Sequence, residues 1–156
     1  MKRKPPVAAS SVPSHLALDG QLCFALYSAS LGLNKAYRKL LLPLGLTYPQ
    51  YLVMLVLWES DGLTVSGVGE KLFLNSTTLT PLLKRLEKAG LLKRVRSAAD
   101  ERSVIVSLTE KGRRLKRPAL EVPSCAAAAM AMPLAQLHAL KEQLSELRAN
   151  LFRFAA

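Results

Sequence analysis

A mainly α fold with one small β-hairpin is what this sequence predicts, and three observations carry it. Half of the 156 residues are apolar, mostly Leu and Ala with few aromatics, a composition that favours helices. Charged residues recur at helical spacings through most of the chain. One stretch, Ser103 to Leu108, departs from that rhythm, with Val104, Val106 and Leu108 alternating on one side as a strand requires. The length fits one compact domain with a real core, expected over residues 16–156.

Met1-Lys2-Arg3-Lys4 has the charge of an export signal, but Pro5, Pro6 and the Ser/Pro-rich stretch to Ser14 supply no apolar continuation. Residues 1–15 are expected to form a flexible basic arm. A first helix follows from Leu16 to Leu42, apolar on more than one face and ended by Pro43 and Gly45. Thr47-Tyr48-Pro49-Gln50 has capping-box spacing with Pro in the first turn, so a second helix runs to about Ser60, before Asp61-Gly62. Thr64 caps a short third helix, Val65 to Phe73. Asn75 or Ser76 caps a fourth that runs to Ala89, with Gly90 in the terminating position.

Two helices joined by a three-residue turn make a helix-turn-helix. In the fourth helix Leu79, Leu82, Leu83 and Leu86 line one face, which leaves Thr77, Thr78, Thr80, Pro81, Lys84 and Arg85 outside. A polar, hydroxyl-rich, basic face suits recognition of the major groove. Leu91 to Arg96 and Ser103 to Leu108 then read as a hairpin directly after the recognition helix, which makes the fold a winged helix-turn-helix. Arg96 and Arg102 flank the hairpin tip, where an Arg can enter the narrow minor groove.

Thr109 caps a fifth helix interrupted at Pro118 and at Pro123, and the Ala-rich run from Cys125 to Met132 is expected to be helical and close-packed. From Pro133 onward Leu137, Leu140, Leu144, Leu147, Leu151 and Phe154 recur with the alternating spacing of an a/d seam. Such a seam needs a partner. It can pack on the first helix of its own chain or join two subunits, and a homodimer suits a palindromic DNA site. The reading lobe is therefore placed at residues 61–108, and the dimerisation helices at 16–44 and 109–156.

The formal charge of +11 is not a packing requirement. Residues 71 to 117 hold 13 Lys/Arg against 4 Asp/Glu, a net +9 in under a third of the chain. Clustered cations that neutralise phosphates gain affinity by counterion release, so double-stranded operator DNA is the leading partner. The plainer reading is a solvated basic surface kept for solubility. No apolar run approaches the roughly 18 residues that span a bilayer. No membrane role is expected, and the chain is placed in the cytoplasm, where cysteines are more often redox-active or buried than permanent cross-links. His15 and His138 are isolated and share no ligand spacing with the cysteines, so neither metal nor cofactor is expected.

The two cysteines, Cys23 and Cys125, lie about a hundred residues apart on either side of the basic segment. On a helix Tyr27 is about 40° around the axis from Cys23, and Tyr37 about 40° to the other side, so all three share a stripe. Yet Tyr37 is roughly 21 Å further along, out of reach of Cys23 in its own chain. If the tyrosines serve the thiol, at least one comes from another subunit or a folded-back segment, and Tyr48 could join them. Phenolic hydroxyls donating to sulfur would favour the thiolate, the form that attacks peroxide. Phe24 and the surrounding leucines would admit an apolar peroxide better than a small hydrophilic one. The plainer reading makes Cys23 an inert small hydrophobe and the tyrosines core.

Leu18-Asp19-Gly20-Gln21-Leu22-Cys23-Phe24-Ala25-Leu26-Tyr27-Ser28, Leu46-Thr47-Tyr48-Pro49-Gln50-Tyr51, Leu79-Thr80-Pro81-Leu82-Leu83-Lys84-Arg85-Leu86 and Asp100-Glu101-Arg102 together closely resemble the organic hydroperoxide resistance regulators, a peroxide-sensing branch of the MarR family. The resemblance covers residues 16 to 125. It implies a homodimeric winged-helix repressor oxidised by organic hydroperoxides at Cys23, with Tyr37 and Tyr48 of the opposite subunit hydrogen-bonding the sulfur and Tyr27 in the same pocket. It also implies that Cys125, in Val122-Pro123-Ser124-Cys125, captures the sulfenic acid of the other subunit as a disulfide. Oxidation then moves the dimer helices and the protein leaves its operator.

DNA contacts are expected from Thr77, Thr78, Thr80, Pro81, Lys84 and Arg85 in the major groove, Arg102 in the minor groove and Arg96 on phosphate. Asp100 is expected to hold the wing by pairing with a nearby Arg. Two rivals stand beside this reading. A two-cysteine thiol peroxidase would be an enzyme and would need no basic helix-turn-helix; a MarR-type regulator released by a small phenolic ligand would leave Cys23 incidental.

Overall fold

Asp19 and Gly20 keep the first helix from starting where the apolar pattern places it. The computed structural model describes residues 16–98, 100 and 102–155; the arm expected at residues 1–15 lies outside them. Leu18–Gly20 form one 3-10 turn and Gln21 is extended, so helix α1 spans Leu22–Leu41. Glycine is a poor helix former, and the Gly20 N–H bonds back to the Ala17 carbonyl instead. The chain divides into two compact units, one ending at Lys35 and the other beginning at Ala36. In the first unit no described residue is buried; the only buried residue of α1 is Leu41.

The second unit begins with the end of α1. Pro43 sits in a 3-10 turn, Leu42–Leu44, and Gly45 adopts φ +65° to close it. Helix α2, Tyr48–Glu59, starts at the expected cap, where the Gln50 side chain accepts the Thr47 N–H at 2.8 Å. It carries much of the core: Tyr51, Val53, Met54, Val56 and Leu57 are buried.

Strand β1, Leu63–Thr64, is absent from the sequence reading because two residues carry no periodic signal. Helices α3, Val65–Leu72, and α4, Ser76–Lys88, follow with Phe73, Leu74 and Asn75 as the turn between them. Strands β2, Leu92–Arg96, and β3, Val104–Leu108, form the hairpin in the register Leu92↔Leu108 to Arg96↔Val104. β1 adds to the far edge of β3, so the sheet is three-stranded in the order β1-β3-β2. Leu79, Leu83 and Leu86 of α4 are fully buried with Val68, Leu92 and Val106. Leu82 is only partly buried: it lies about 60° off Leu79, at the edge of the stripe.

The stretch after Thr109 breaks earlier than the prolines themselves. Helix α5 covers Glu110–Arg114, α6 Lys116–Ala119, α7 Val122–Met130 and α8 Leu134–Phe154. A proline offers no N–H to the carbonyl four residues back. Pro118 therefore frees Arg114, where α5 ends, and Pro123 frees Ala119, where α6 ends; Pro123 itself sits in the first turn of α7. The close packing expected of the Ala-rich run is not found: Ala126 alone among Cys125–Met132 is buried. In α8 no residue is buried, and the seam residues Leu140, Leu144, Leu151 and Phe154 are exposed in the single chain.

Among the described residues no single helix is long and apolar enough to cross a membrane.

Candidate nucleic-acid interface and thiol site

Asn75 sets the outer face of α4. Its side-chain oxygen accepts the Thr78 N–H at 2.9 Å and the Thr77 hydroxyl at 2.7 Å, so one residue caps the helix and orients its first threonine. Thr77, Thr78, Pro81, Lys84 and Arg85 are exposed, as a reading face requires. Thr80 is half-buried, and its hydroxyl donates back to the Ser76 carbonyl at 2.7 Å. The turn before α4 is tight: Phe73 adopts φ +56°, and a Cβ on Gly69 would lie 2.7 Å from the Leu74 carbonyl oxygen. Phe73 is itself held in place, its ring 5.3 Å from that of Phe152 in α8 and 4.4 Å beneath the Arg148 guanidinium.

The wing is tied to α4 by a pair that the sequence reading missed. Glu87 of α4 accepts Arg94 of β2 through Nε at 3.0 Å, through Nη2, and through the backbone N–H at 3.1 Å. Arg94's side-chain hydrogen bond holds the Glu87 carboxyl below its usual range. At the tip Arg96 and Arg102 are both exposed. Asp100 braces the turn, though through other atoms than expected: it accepts the Ser103 hydroxyl at 2.7 Å and the Arg102 backbone N–H at 3.0 Å, not a guanidinium. The Ser103 hydroxyl, then the Arg102 N–H, holds its carboxyl below the ordinary value. Glu101 lies outside the described residues.

At its base the sheet is pinned by Asp61. This carboxylate accepts the Leu108 N–H at 2.8 Å and Arg113 Nη2 at 2.7 Å, while Arg113 Nη1 donates to the Leu108 carbonyl.

Cys23 and Cys125 are both free thiols, and both are exposed. Cys23 and Tyr27 belong to the first unit, Tyr37, Tyr48 and Cys125 to the second. Tyr27 is exposed. Helix α1 runs unbroken through Cys23, Tyr27 and Tyr37, as the stripe argument assumes. Tyr37 and Tyr48 come together, with ring centroids 4.3 Å apart. Burial pushes both phenols above the ordinary tyrosine value, and for Tyr48 the neighbouring Tyr37 adds to it. Both therefore remain O–H donors at neutral pH. Among the described residues neither hydroxyl has a hydrogen-bond partner.

Behind them stands a third tyrosine that the sequence reading did not assign. Tyr51 is almost fully buried, 6.0 Å from the Tyr37 ring and 6.2 Å from Trp58. In the sequence it stood only as the last residue of the Leu46–Tyr51 motif and at seven-residue spacing from Trp58, the single tryptophan of the chain.

Residues 35–118 match the family model described as "Transcriptional regulator SarA/Rot". The organic hydroperoxide resistance transcriptional regulator of Bacillus subtilis (strain 168) is 54% identical over 109 residues, which is 70% of this chain and 74% of that protein. Reduced AbfR bound to DNA, AbfR being a Staphylococcus epidermidis protein, superposes with a TM-score of 0.78 at 37% identity, over 89% of this chain and 95% of that one. Disulfide-formed AbfR gives 0.62 at 38% identity, over 83% and 91%. The mainly helical winged helix-turn-helix read from the sequence is thus the fold of its relatives, and the chain belongs to the organic hydroperoxide resistance regulators of the MarR family of transcription regulators.

Proposed function

We propose that the protein is a redox-sensing transcriptional repressor that binds double-stranded operator DNA when reduced and leaves it when an organic hydroperoxide oxidises Cys23. The observation that carries this reading is the Tyr37–Tyr48 pair: two protonated phenols side by side, in a chain whose Cys23 is an exposed free thiol. Within one α1 the two ends are about 21 Å apart, so the phenols serve the Cys23 of a second subunit. A homodimer also accounts for the exposed apolar seam of α8. The names of the relatives point the same way, since AbfR is known bound to DNA in its reduced form and, in a separate structure, with its disulfide formed.

In the proposed reaction the Cys23 thiolate attacks the peroxide. Its sulfur gains one oxygen, the O–O bond breaks, and the alcohol leaves. On the sulfenate the charge sits on the added oxygen, so the acceptor that held Tyr37 and Tyr48 moves off the sulfur. Once the sulfenate takes up a proton, the Cys125 thiol of the partner displaces that oxygen as water and closes an intersubunit disulfide. Disulfide geometry needs Cα atoms within about 7 Å, so closing the bond from any wider separation drags helices with it. The two α4 helices must sit roughly 34 Å apart to meet successive major grooves. Moving them off that spacing lowers affinity without altering one DNA contact. We place those contacts at Thr77, Thr78, Thr80, Pro81, Lys84 and Arg85 of α4, with Arg96 and Arg102 of the wing on phosphate and in the minor groove, and the protein in the cytoplasm, acting without catalytic turnover.

A mobility-shift assay with DNA from upstream of the protein's own gene tests the reading. Reduced protein shifts the fragment and cumene hydroperoxide abolishes the shift; release by small aromatic acids instead of peroxide would replace the redox reading with a ligand-binding one. The disulfide is tested separately. A Cys125→Ser protein, oxidised and run on a non-reducing gel, is expected to stay at monomer mass, and a persistent protein-to-protein disulfide would remove Cys125 as the resolving thiol.

A further inference from the structure

The aromatic contact does not stop at the two phenols. Tyr37 packs on Tyr48 and on Tyr51, and Tyr51 meets Trp58 edge-on, interplanar angle 69°. The separations beyond the first pair, 6.0 and 6.2 Å, lie in the range where rings hold each other's orientation. Tyr51 and Trp58 are seven residues apart on α2, hence on one face, two turns from each other. The ladder ends in a polar contact: the Trp58 indole N–H donates to the Gly112 carbonyl of α5 at 2.9 Å. The Trp58 backbone carbonyl also accepts Lys116 Nζ of α6 at 3.2 Å, so this one residue is tied twice to the segment after the wing.

Gly112 has no slack. A Cβ there would fall 2.0 Å from the Leu91 carbonyl oxygen, which also accepts the Thr109 N–H at 3.1 Å. Leu91 leads directly into β2, the first strand of the wing. A displacement of the phenol pair therefore meets a close-packed row of rings, then a hydrogen bond, then a backbone-to-backbone contact at the foot of the wing. Close-packed groups of this kind have discrete arrangements and little compliance.

We propose that Tyr51 and Trp58 are positioning residues of the redox response, carrying the change at Tyr37 and Tyr48 through the Trp58–Gly112 hydrogen bond to the wing. The inference rests on the reading that Tyr37 and Tyr48 receive the Cys23 sulfur. Neither residue touches sulfur, peroxide or DNA in this scheme; their role is to make the DNA-reading lobe respond.

The test uses the full-length protein and a labelled operator fragment, with Cys23 oxidation followed by mass spectrometry in the same samples. Trp58→Phe keeps a ring in the ladder and deletes the N–H donor. Tyr51→Leu removes the middle ring, and Tyr51→Phe restores it without the hydroxyl. In Trp58→Phe and Tyr51→Leu, Cys23 is expected to oxidise within about twofold of the wild-type rate and reduced protein to keep its DNA affinity. The loss of affinity on oxidation is expected to shrink from on the order of 100-fold to about tenfold or less. Tyr51→Phe is expected to regain the wild-type response. Full release by oxidised Trp58→Phe overturns the proposal, and so does a folded Trp58→Phe protein that has already lost DNA affinity when reduced. If Tyr51→Leu does not fold, Trp58→Phe decides alone. If instead the wild type keeps its affinity with Cys23 oxidised, the underlying reading falls and this inference with it.

Discussion

A Cys23→Ser protein is expected to bind operator DNA as tightly as the wild type and to remain bound when cumene hydroperoxide is added, while the wild type loses affinity by a factor on the order of 100. The substitution swaps a sulfur for an oxygen at an exposed position near the start of α1. Cys23 packs into no core of its own chain and oxygen is smaller than sulfur, so the fold and the outer face of α4 are expected to be retained. A serine hydroxyl still offers a lone pair to Tyr37 and Tyr48, yet it cannot climb the oxidation ladder that begins at sulfenic acid. DNA binding and peroxide response thus separate in one variant. Fluorescence anisotropy of a labelled operator, with and without peroxide, reads both, and normal release by Cys23→Ser contradicts the scheme.

Gly112→Ala is expected to lower stability by about 3 to 5 kcal/mol, a large share of what a domain of this size possesses. Helix propensity alone argues the opposite, since Ala in a helix is better than Gly by about 1 kcal/mol. Space decides the sign. The added methyl would sit 2.0 Å from the Leu91 carbonyl oxygen and 3.2 Å from Leu108 Cδ2, and the first of these is backbone already engaged with Thr109. Relief requires α5 to move off the sheet, which also breaks the Trp58–Gly112 and Gly112–Thr109 hydrogen bonds. Gly32→Ala is the internal control: nothing lies within 4 Å of a Cβ there, and a gain of up to about 1 kcal/mol is expected. Urea denaturation of the two variants beside the wild type measures the contrast. A wild-type midpoint for Gly112→Ala would show that the close approach is not a constraint.

Most of the reading lobe was legible in the sequence because its signals are local. Thr64, Asn75 and Thr109 each cap the helix that follows, with side-chain oxygens on Gly67, Thr78 and Gly112 N–H groups, and each is the residue type and position that capping chemistry demands. The alternation of Val104, Val106 and Leu108 fixed the face of β3, with Val106 and Leu108 buried. What escaped was long-range. Two-residue β1 exists only because β3 offers it an edge. Asp61 reads as a helix breaker, and its grip on Leu108 and Arg113 needs residues about fifty positions away. Trp58 looks like one more apolar residue of α2 until its N–H is seen on Gly112, 54 residues on. The Ala-rich run and the α8 seam read as apolar surfaces, but spacing cannot say what covers them: Ala126 alone is buried among Cys125–Met132, and Leu140, Leu144, Leu151 and Phe154 are exposed in the single chain.

The tyrosines divide along the same line. The sequence pattern placed Tyr27 and Tyr37 on one stripe of α1 and offered Tyr48 as a neighbour, and Tyr37 and Tyr48 do meet. Tyr51 was invisible as a site residue because it sits three residues after Tyr48 on the buried side of α2. Its phenol is pushed up by burial and by the two other tyrosines, so it too keeps its proton at neutral pH.

The measurement that bears most directly on the redox switch follows one sample through a complete cycle. Operator affinity is determined for reduced protein, again after one equivalent of cumene hydroperoxide with Cys23 oxidation confirmed by mass, and again after dithiothreitol. The switch predicts tight binding, a loss on the order of 100-fold, and full recovery. Unchanged affinity in protein whose Cys23 is demonstrably oxidised would contradict it.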